Sequence, residues 1–184
     1  MKLRRDFLLA LFILFAIPVI GYLVLQRAAS DRMKISSTLQ PKDSLSLDLT
    51  VNYLDAEGVP QTRKLVDMPY VLKVVETRSN ILDMEQTEKI MYIINDRSDL
   101  AFLLWEPELK NTSQDRILGY NLGDDENILS SKGDVLLVDA FNRILQVYDG
   151  SDSRLYSALL EDISYAFPMV DFRLQKLSDD EKQK

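Results

Sequence analysis

The sequence contains no cysteine and no histidine among its 184 residues. Without thiols the chain forms no disulfide and has no cysteine nucleophile. Without imidazole it can build neither a Ser-His-Asp triad nor a zinc site of the Cys/His type. The same two absences remove the thiolate and imidazole ligands that copper sites use. Any chemistry must therefore rest on carboxylate, lysine, tyrosine or hydroxyl groups.

Glycine is also scarce, with 6 residues, and neither a glycine-rich phosphate loop nor a Gly-x-Ser-x-Gly turn occurs. These absences disfavour a nucleotide-binding enzyme and a hydrolase with a nucleophile elbow. Positive charge is sparse beyond residue 34, where 16 Lys and Arg face 27 Asp and Glu, a net charge of −11. Such a surface disfavours nucleic acid and anionic lipid headgroups as partners.

One long apolar run is present near the start, from Phe7 to Leu25, and it carries no charge. As a helix it is about 28 Å long, close to the ~30 Å of a bilayer core. The cations Lys2, Arg4 and Arg5 precede the run, which favours a cytoplasmic N-terminus. We therefore expect a single-pass protein whose domain is extracytoplasmic, in the periplasm or its equivalent. The alternative is a signal peptide cleaved near Ala29.

The chain divides into four predicted segments. Residues 1–26 form the membrane anchor and the polar residues 27–43 a tether. Residues 44–176 form one folded domain, and residues 177–184 a disordered tail. Nothing in the sequence indicates the oligomeric state.

Hydrophobic periodicity predicts the elements of the domain. Alternation from Leu45 to Tyr53 predicts a strand that turns at "DAEG" and returns as "QTRKLV". "YVLKVV", "LAFLLW" and "DVLLVD" are buried strands, the last forming a hairpin with "ILQVYD". Helices are expected over residues 81–95 and over 151–167, where Pro168 ends the second one. "MVDFRLQKL" is then an edge strand or a docked tail.

The region between Trp105 and "DVLLVD" is predicted to be mostly connection, with a short helix near residues 113–120. A strand–helix–strand unit requires a right-handed crossover, so part of the sheet is parallel. The expected fold is an α/β mixed sheet with helices on both faces. The predicted central residues are Leu72, Val74, Phe102, Leu104, Leu136, Val138, Leu155 and Leu159.

This order of elements resembles the thioredoxin-like domain of the Sco/SenC family. "DVLLVDAFNRILQVYDGSD" is similar to that family's hairpin before its last helix. "LTVNYLDAEGVPQ" resembles its opening hairpin, and "YVLKVVET" resembles the strand before its redox loop. The resemblance covers about residues 40 to 167. It implies a membrane-anchored protein that takes part in building the copper centre of cytochrome oxidase.

The chain departs from the family at the functional positions. The family's loop carries Cys-x-x-x-Cys, whereas this loop reads "TRSNILDM". The region of the family's copper-ligand histidine reads "NILSSKGD", with Ser130 and Ser131. We therefore expect no catalytic residue, no metal and no cofactor. Backbone N–H groups at a helix start and the Arg78 cation could still receive a partner. The candidate partner-binding loop is Thr77, Arg78, Ser79 and Asn80.

Three functions are compatible with these residues. The favoured one is a non-catalytic binding or assembly accessory for respiratory oxidase or envelope redox proteins, with a protein partner in the envelope. The second is an enzyme with an unrecognised Ser, Asp, Tyr or Lys site, and the third is a structural envelope protein. Glu106 and Glu108 flank Pro107 after a strand, but a carboxylate pair at a loop start is usually a solvated surface feature.

Overall fold

The computed structural model describes residues 2–55, 58–94, 97–109, 116–122 and 127–182. Contacts divide the chain into two compact units, Met1–Ser37 and Thr38–Lys184. The helices are α1 (Lys2–Thr38), α2 (Met84–Ile93), α3 (Asn127–Ser130) and α4 (Leu155–Lys182). The strands are β1 (Asp43–Ser44), β2 (Thr50–Leu54), β3 (Pro60–Lys64), β4 (Leu72–Glu76), β5 (Leu100–Trp105), β6 (Ile117–Asn121), β7 (Val135–Asp139) and β8 (Arg143–Tyr148).

The first unit consists of α1, which includes Pro18 and exposes apolar side chains such as Phe15 and Leu25. Among the residues whose side chains are described, no helix is both long and apolar enough to cross a membrane. The predicted span includes the side chains at positions 7–11 and 13, which lie outside those residues. The span therefore stays a prediction.

The predicted segment boundaries also stay predictions, although the helices overlap them. Helix α1 continues to Thr38, so much of the predicted tether is helical, and the buried Leu39 already belongs to the second unit. At the other end, α4 continues to Lys182, within the predicted tail of residues 177–184. The last two residues of that tail lie outside the described part of the chain.

The second unit is built on one eight-stranded sheet in the order β1-β8-β7-β4-β5-β6-β2-β3. Strands β4, β5 and β6 are parallel, and β7 is antiparallel to β4 on its other side. Helix α2 connects β4 to β5, which is the predicted strand–helix–strand unit. The prediction that "YVLKVV", "LAFLLW" and "DVLLVD" share one mixed sheet is therefore confirmed, in keeping with a thioredoxin-like fold.

Successive side chains of the central strands point to opposite faces of the sheet, and both faces are buried. On one face, Val75, Leu103 and Leu136 pack in a core that includes Leu129 of α3. The other face is covered by α4, which contacts both β4 and α2. All eight predicted central residues are buried. Helices α2 and α4 thus pack together, whereas in the described part of the chain the opposite face is covered by α3, a 3-10 turn at Leu65–Asp67 and irregular chain.

The predicted short helix near residues 113–120 is wrong where the chain is described, because residues 117–121 form β6. This strand lies between β5 and β2, with Leu118 beside Leu103. A short segment containing glycine has little strand signal of its own, so pairing with two neighbours decides its conformation. Residues 113–115 lie outside the described part.

The prediction that Pro168 ends the last helix is also wrong, since α4 continues through it. An interior proline typically costs a helix about 3 kcal/mol. Tertiary contacts on both sides of Pro168 offset that cost here. Phe167 and Val170 are buried, and Asp171 accepts two hydrogen bonds from Arg97. The segment "MVDFRLQKL" is therefore docked as helix and is not an edge strand.

Candidate functional site

A cleft of about 440 Å³ lies where β4 and β5 end. The carboxyl ends of parallel strands are the usual place for ligands in open α/β sheets. This volume is in the range of small-ligand and side-chain pockets. The cleft is lined by Glu76, Ser79, Asn80, Leu82, Leu104, Trp105, Glu106, Pro107 and Glu108.

Glu76, the last residue of β4, fixes the shape of one wall. Its side chain is 2% exposed and accepts three backbone hydrogen bonds. Oε1 accepts from the N–H groups of Ile81 at 2.6 Å and Leu82 at 2.9 Å, and Oε2 accepts from that of Trp105 at 2.9 Å. One buried carboxylate thus satisfies donors from the loop before α2 and from the end of β5, which would otherwise be costly to bury.

Opposing effects act on the ionisation of Glu76. Burial raises the pKa of its carboxyl group, and the three backbone N–H donors act against that rise because they favour the charged form. The nearby carboxylate of Glu106 raises this pKa further. Since both oxygens of Glu76 already accept hydrogen bonds, its role is to hold the backbone of the cleft.

The candidate partner-binding loop has a fixed half and an exposed half. Thr77 is buried, and its hydroxyl donates to the carbonyl oxygens of Gly133 and Asp134. The Arg78 guanidinium forms an ion pair with the Asp134 carboxylate. Thr77 and Arg78 therefore attach the loop to the segment before β7, the region where the family resemblance places the histidine.

The exposed half of the loop faces the cleft. Ser79 and Asn80 are exposed and line it. Asn80 has φ of 63°, a left-handed conformation that asparagine tolerates better than most residues. Asp83 then begins α2, where its side chain accepts from the N–H of Gln86 at 3.0 Å. The structure therefore brings two of the four predicted loop residues to the cleft and gives the other two an anchoring role.

The opposite wall is the segment Glu106–Glu108, which β6 holds in place. The N–H of Glu106 donates to the carbonyl of Tyr120 at 2.8 Å, and the Asn121 side-chain amide donates to the carbonyl of Pro107 at 3.3 Å. The Glu106 side chain lies over Gly119, where an added Cβ would be 2.7 Å from its Oε2. A larger residue at position 119 would displace this carboxylate.

Two aromatic residues support the floor of the cleft. The Trp105 and Tyr120 rings pack edge to face, with centroids 5.4 Å apart. The Tyr120 hydroxyl donates to the backbone carbonyl of Glu76 at 2.7 Å, and burial holds the pKa of this phenol well above its usual range. The phenol is thus a buried structural donor that links β6 to the end of β4.

The groups at the cleft do not match the chemistry of the Sco/SenC family. That chemistry needs thiolate and imidazole, and the chain has neither. Carboxylate, hydroxyl and amide oxygens do not fit a copper site of that kind. Among the described residues, no group of three or more acidic side chains is arranged to hold a metal ion.

Sequence reasoning identified Ser79 and Asn80 but missed Glu76, and it treated Glu106 and Glu108 as solvated. A signal for Glu76 existed, because this glutamate directly follows a run of buried strand residues. No comparable signal marked the Glu106–Glu108 segment, since β6, the strand that positions it, was itself missed.

Comparisons with known proteins add two structural likenesses. Neither a protein-family model nor a curated protein sequence matches the chain. Among solved structures, it is similar to BsSco, a member of the Sco family of cytochrome c oxidase assembly proteins, at 14% identity and a TM-score of 0.45, over 68% of this chain and 96% of that one. It is also similar to a protein of Aquifex aeolicus VF5 described as a candidate electron transfer protein, at 9% identity and a TM-score of 0.39, over 66% and 92% of the two chains.

Proposed function

We propose that this protein is a non-catalytic, membrane-anchored binding module with a Sco/SenC-like domain. Its role is that of an accessory in assembling respiratory oxidase or envelope redox proteins. The observation that carries this proposal is the cleft at the loop after β4. A cleft remains where the family resemblance places a redox site, but Ser79, Asn80 and carboxylates line it.

The construction of the loop supports binding. Glu76 fixes Ile81 and Leu82 through their N–H groups, and Thr77 is bonded to the segment before β7. A preorganised loop loses little conformational entropy when a partner docks. The exposed side chains of Ser79 and Asn80 are then available at the mouth of the cleft.

The sequence supports the anchoring half of the proposal. The run from Phe7 to Leu25 has no charge, and its described large apolar side chains, among them Phe12, Leu14 and Val24, are exposed on α1. Burial of this surface in lipid would offset the cost of exposing it to water. A reporter fused after Lys184 should be active only in the extracytoplasmic compartment. If mass analysis shows a mature start near Ala29, the segment is a cleaved signal peptide and not an anchor.

Partner capture from membranes tests the binding function. The double variant Arg78→Ala with Asn80→Gly removes the cation and one cleft side chain, while glycine keeps the left-handed backbone conformation. We expect it to recover less of the partner than the wild-type protein does, with a nearly unchanged melting temperature. Equal recovery of every captured protein would contradict recognition by this loop.

A matched control is Arg154→Ala. This arginine is also exposed and also has an aspartate close by, Asp152 at 3.7 Å, but it lies outside the candidate loop of residues 77–80 and outside the cleft. It should recover the partner as the wild-type protein does. A direct test of the non-catalytic half is copper titration of the purified protein, in which stoichiometric, tight binding would contradict the proposal.

A further inference from the structure

We propose that the cleft receives an extended segment of a partner protein in which a lysine or arginine stands beside apolar residues. This inference rests on the proposed binding function and specifies its ligand chemistry. Glu106 and Glu108 contact the cation, and the floor of the cleft receives the apolar side chains and the aliphatic stem of the cation.

The charge of the cleft determines the sign of its ligand. Among the described residues, the charged side chains that line it are the carboxylates of Glu76, Glu106 and Glu108. Glu76 is buried and accepts from three backbone N–H groups, whereas Glu106 and Glu108 are more exposed and add their negative charge at the mouth. Glu106 is half-buried and close enough to Glu76 to act on its ionisation, and Glu108 is exposed. A cation placed between such carboxylates relieves their mutual repulsion.

The apolar part of the cleft determines the rest of the ligand. Leu82, Leu104 and Trp105 are 7%, 9% and 8% exposed, and all three line the cleft. Apolar walls beside carboxylates match a lysine or arginine, whose stem packs on apolar surface while its charged end reaches a polar rim. A small inorganic cation would leave these walls uncovered, whereas a peptide segment covers both parts.

The walls are held rigidly enough for selective recognition. On one side, the Glu106 N–H donates to the Tyr120 carbonyl, and the Asn121 side-chain amide donates to the Pro107 carbonyl. On the other side, Glu76 fixes Ile81 and Leu82. Because the backbone of both walls is fixed, electrostatic complementarity here should favour cationic segments over neutral and acidic ones.

Trp105 offers a direct readout, because it is the sole tryptophan of the chain and it lines the cleft. Full-length protein in a non-ionic detergent is titrated with a capped peptide of alternating leucine and lysine. Two matched peptides carry glutamine or glutamate in place of lysine. We expect a saturable change in Trp105 emission with the lysine peptide, weaker binding of the glutamine peptide and none of the glutamate peptide.

The double variant Glu106→Gln with Glu108→Gln should lower the affinity for the lysine peptide about three- to tenfold, which is the range for two partly exposed charge pairs. Glu161→Gln alters an exposed carboxylate on α4 outside the cleft and should bind like the wild-type protein. If the double variant unfolds, the salt dependence of binding to the wild-type protein tests the inference instead. Added salt should then weaken binding of the lysine peptide but not of the glutamine peptide.

Two results would overturn the inference. One is equal binding of all three peptides, unaffected by salt and by the double variant, and the other is no response of Trp105 to any peptide. Neither affects the proposed binding function, which is judged by capture from membranes. Conversely, a lysine-selective cleft in a protein that captures nothing from membranes would count against the proposed function and leave the ligand chemistry intact.

Discussion

Strand β4 carries two buried charged residues, Lys73 and Glu76, which differ in their hydrogen bonds. They lie three positions apart, so their side chains point to opposite faces of the sheet. The Glu76 carboxylate accepts from three backbone N–H groups. The Lys73 side chain is 0% exposed, and among the described residues its Nζ has no hydrogen-bond partner.

Glu76 is a buried charge that shapes the cleft, whereas Lys73 is a buried charge whose desolvation lowers stability. Burial lowers the pKa of Lys73 to about 8, against the attraction of Asp139, and burial raises the pKa of Glu76. Both shifts have desolvation as their largest cause. Only at Glu76 do hydrogen bonds act against it, and those same bonds shape the cleft.

The largest expected effect is the loss of the Glu76 acceptor. Glu76→Leu leaves three buried N–H groups unsatisfied, each worth about 1–3 kcal/mol. We expect the free energy of unfolding in urea to fall by about 3–5 kcal/mol. Glu76→Gln keeps one carbonyl acceptor and should lose about half as much. A leucine variant as stable as the wild-type protein would remove the contrast with Lys73.

Removal of the other buried charge, Lys73, should change the free energy of unfolding in the opposite direction. Lys73→Met keeps an unbranched side chain and removes an ammonium group without a partner. The free energy of unfolding at neutral pH should rise by about 1–3 kcal/mol. The exposed Lys89 provides a control, since Lys89→Met should stay within about 0.5 kcal/mol. Destabilisation by Lys73→Met would show that the ammonium group makes a favourable interaction.

The pH dependence of stability tests the same residue without a mutation. Below about pH 8, Lys73 is protonated in both the folded and the unfolded protein, and it contributes no slope. Between about pH 8 and the ordinary value of 10.5, Lys73 binds more protons in the unfolded protein, so its own contribution to stability rises with pH. Urea titrations across this window should show a more positive slope of stability against pH for the wild-type protein than for Lys73→Met. Identical slopes for the two proteins would contradict the lowered pKa.

The smallest effect should come from an exposed charge beside the same loop. Arg78 pairs with Asp134, and the side chains of the two residues are 60% and 20% exposed. Exposed ion pairs contribute about 0–1 kcal/mol, so Arg78→Ala should change the unfolding free energy by less than about 1 kcal/mol. A loss above about 2 kcal/mol in urea would mean that this pair, and not Glu76, holds the loop.

The central part of the core could be predicted from the sequence because its strands have a recognisable hydrophobic pattern. Phe102 and Leu136 lie in apolar runs too short for helices and bounded by turn residues, and both are buried as expected. The position of Glu76 at the end of an apolar strand was visible in the sequence, but its burial could not be predicted in the same way. A glutamate at the end of a strand is usually exposed, and its burial here depends on donors up to 29 positions away.

The sequence by itself determined which chemistry is excluded and that "YVLKVV", "LAFLLW" and "DVLLVD" are buried strands. The absence of thiol and imidazole is a matter of composition, and short apolar runs bounded by turn residues favour buried strands. Only the tertiary structure decided that residues 117–121 pair as β6, that α4 continues past Pro168, and that Glu106 and Glu108 border a cleft. The physical reason is that these outcomes rest on hydrogen bonds and packing between segments distant in the chain. Local conformational propensity does not depend on such contacts and therefore cannot predict them.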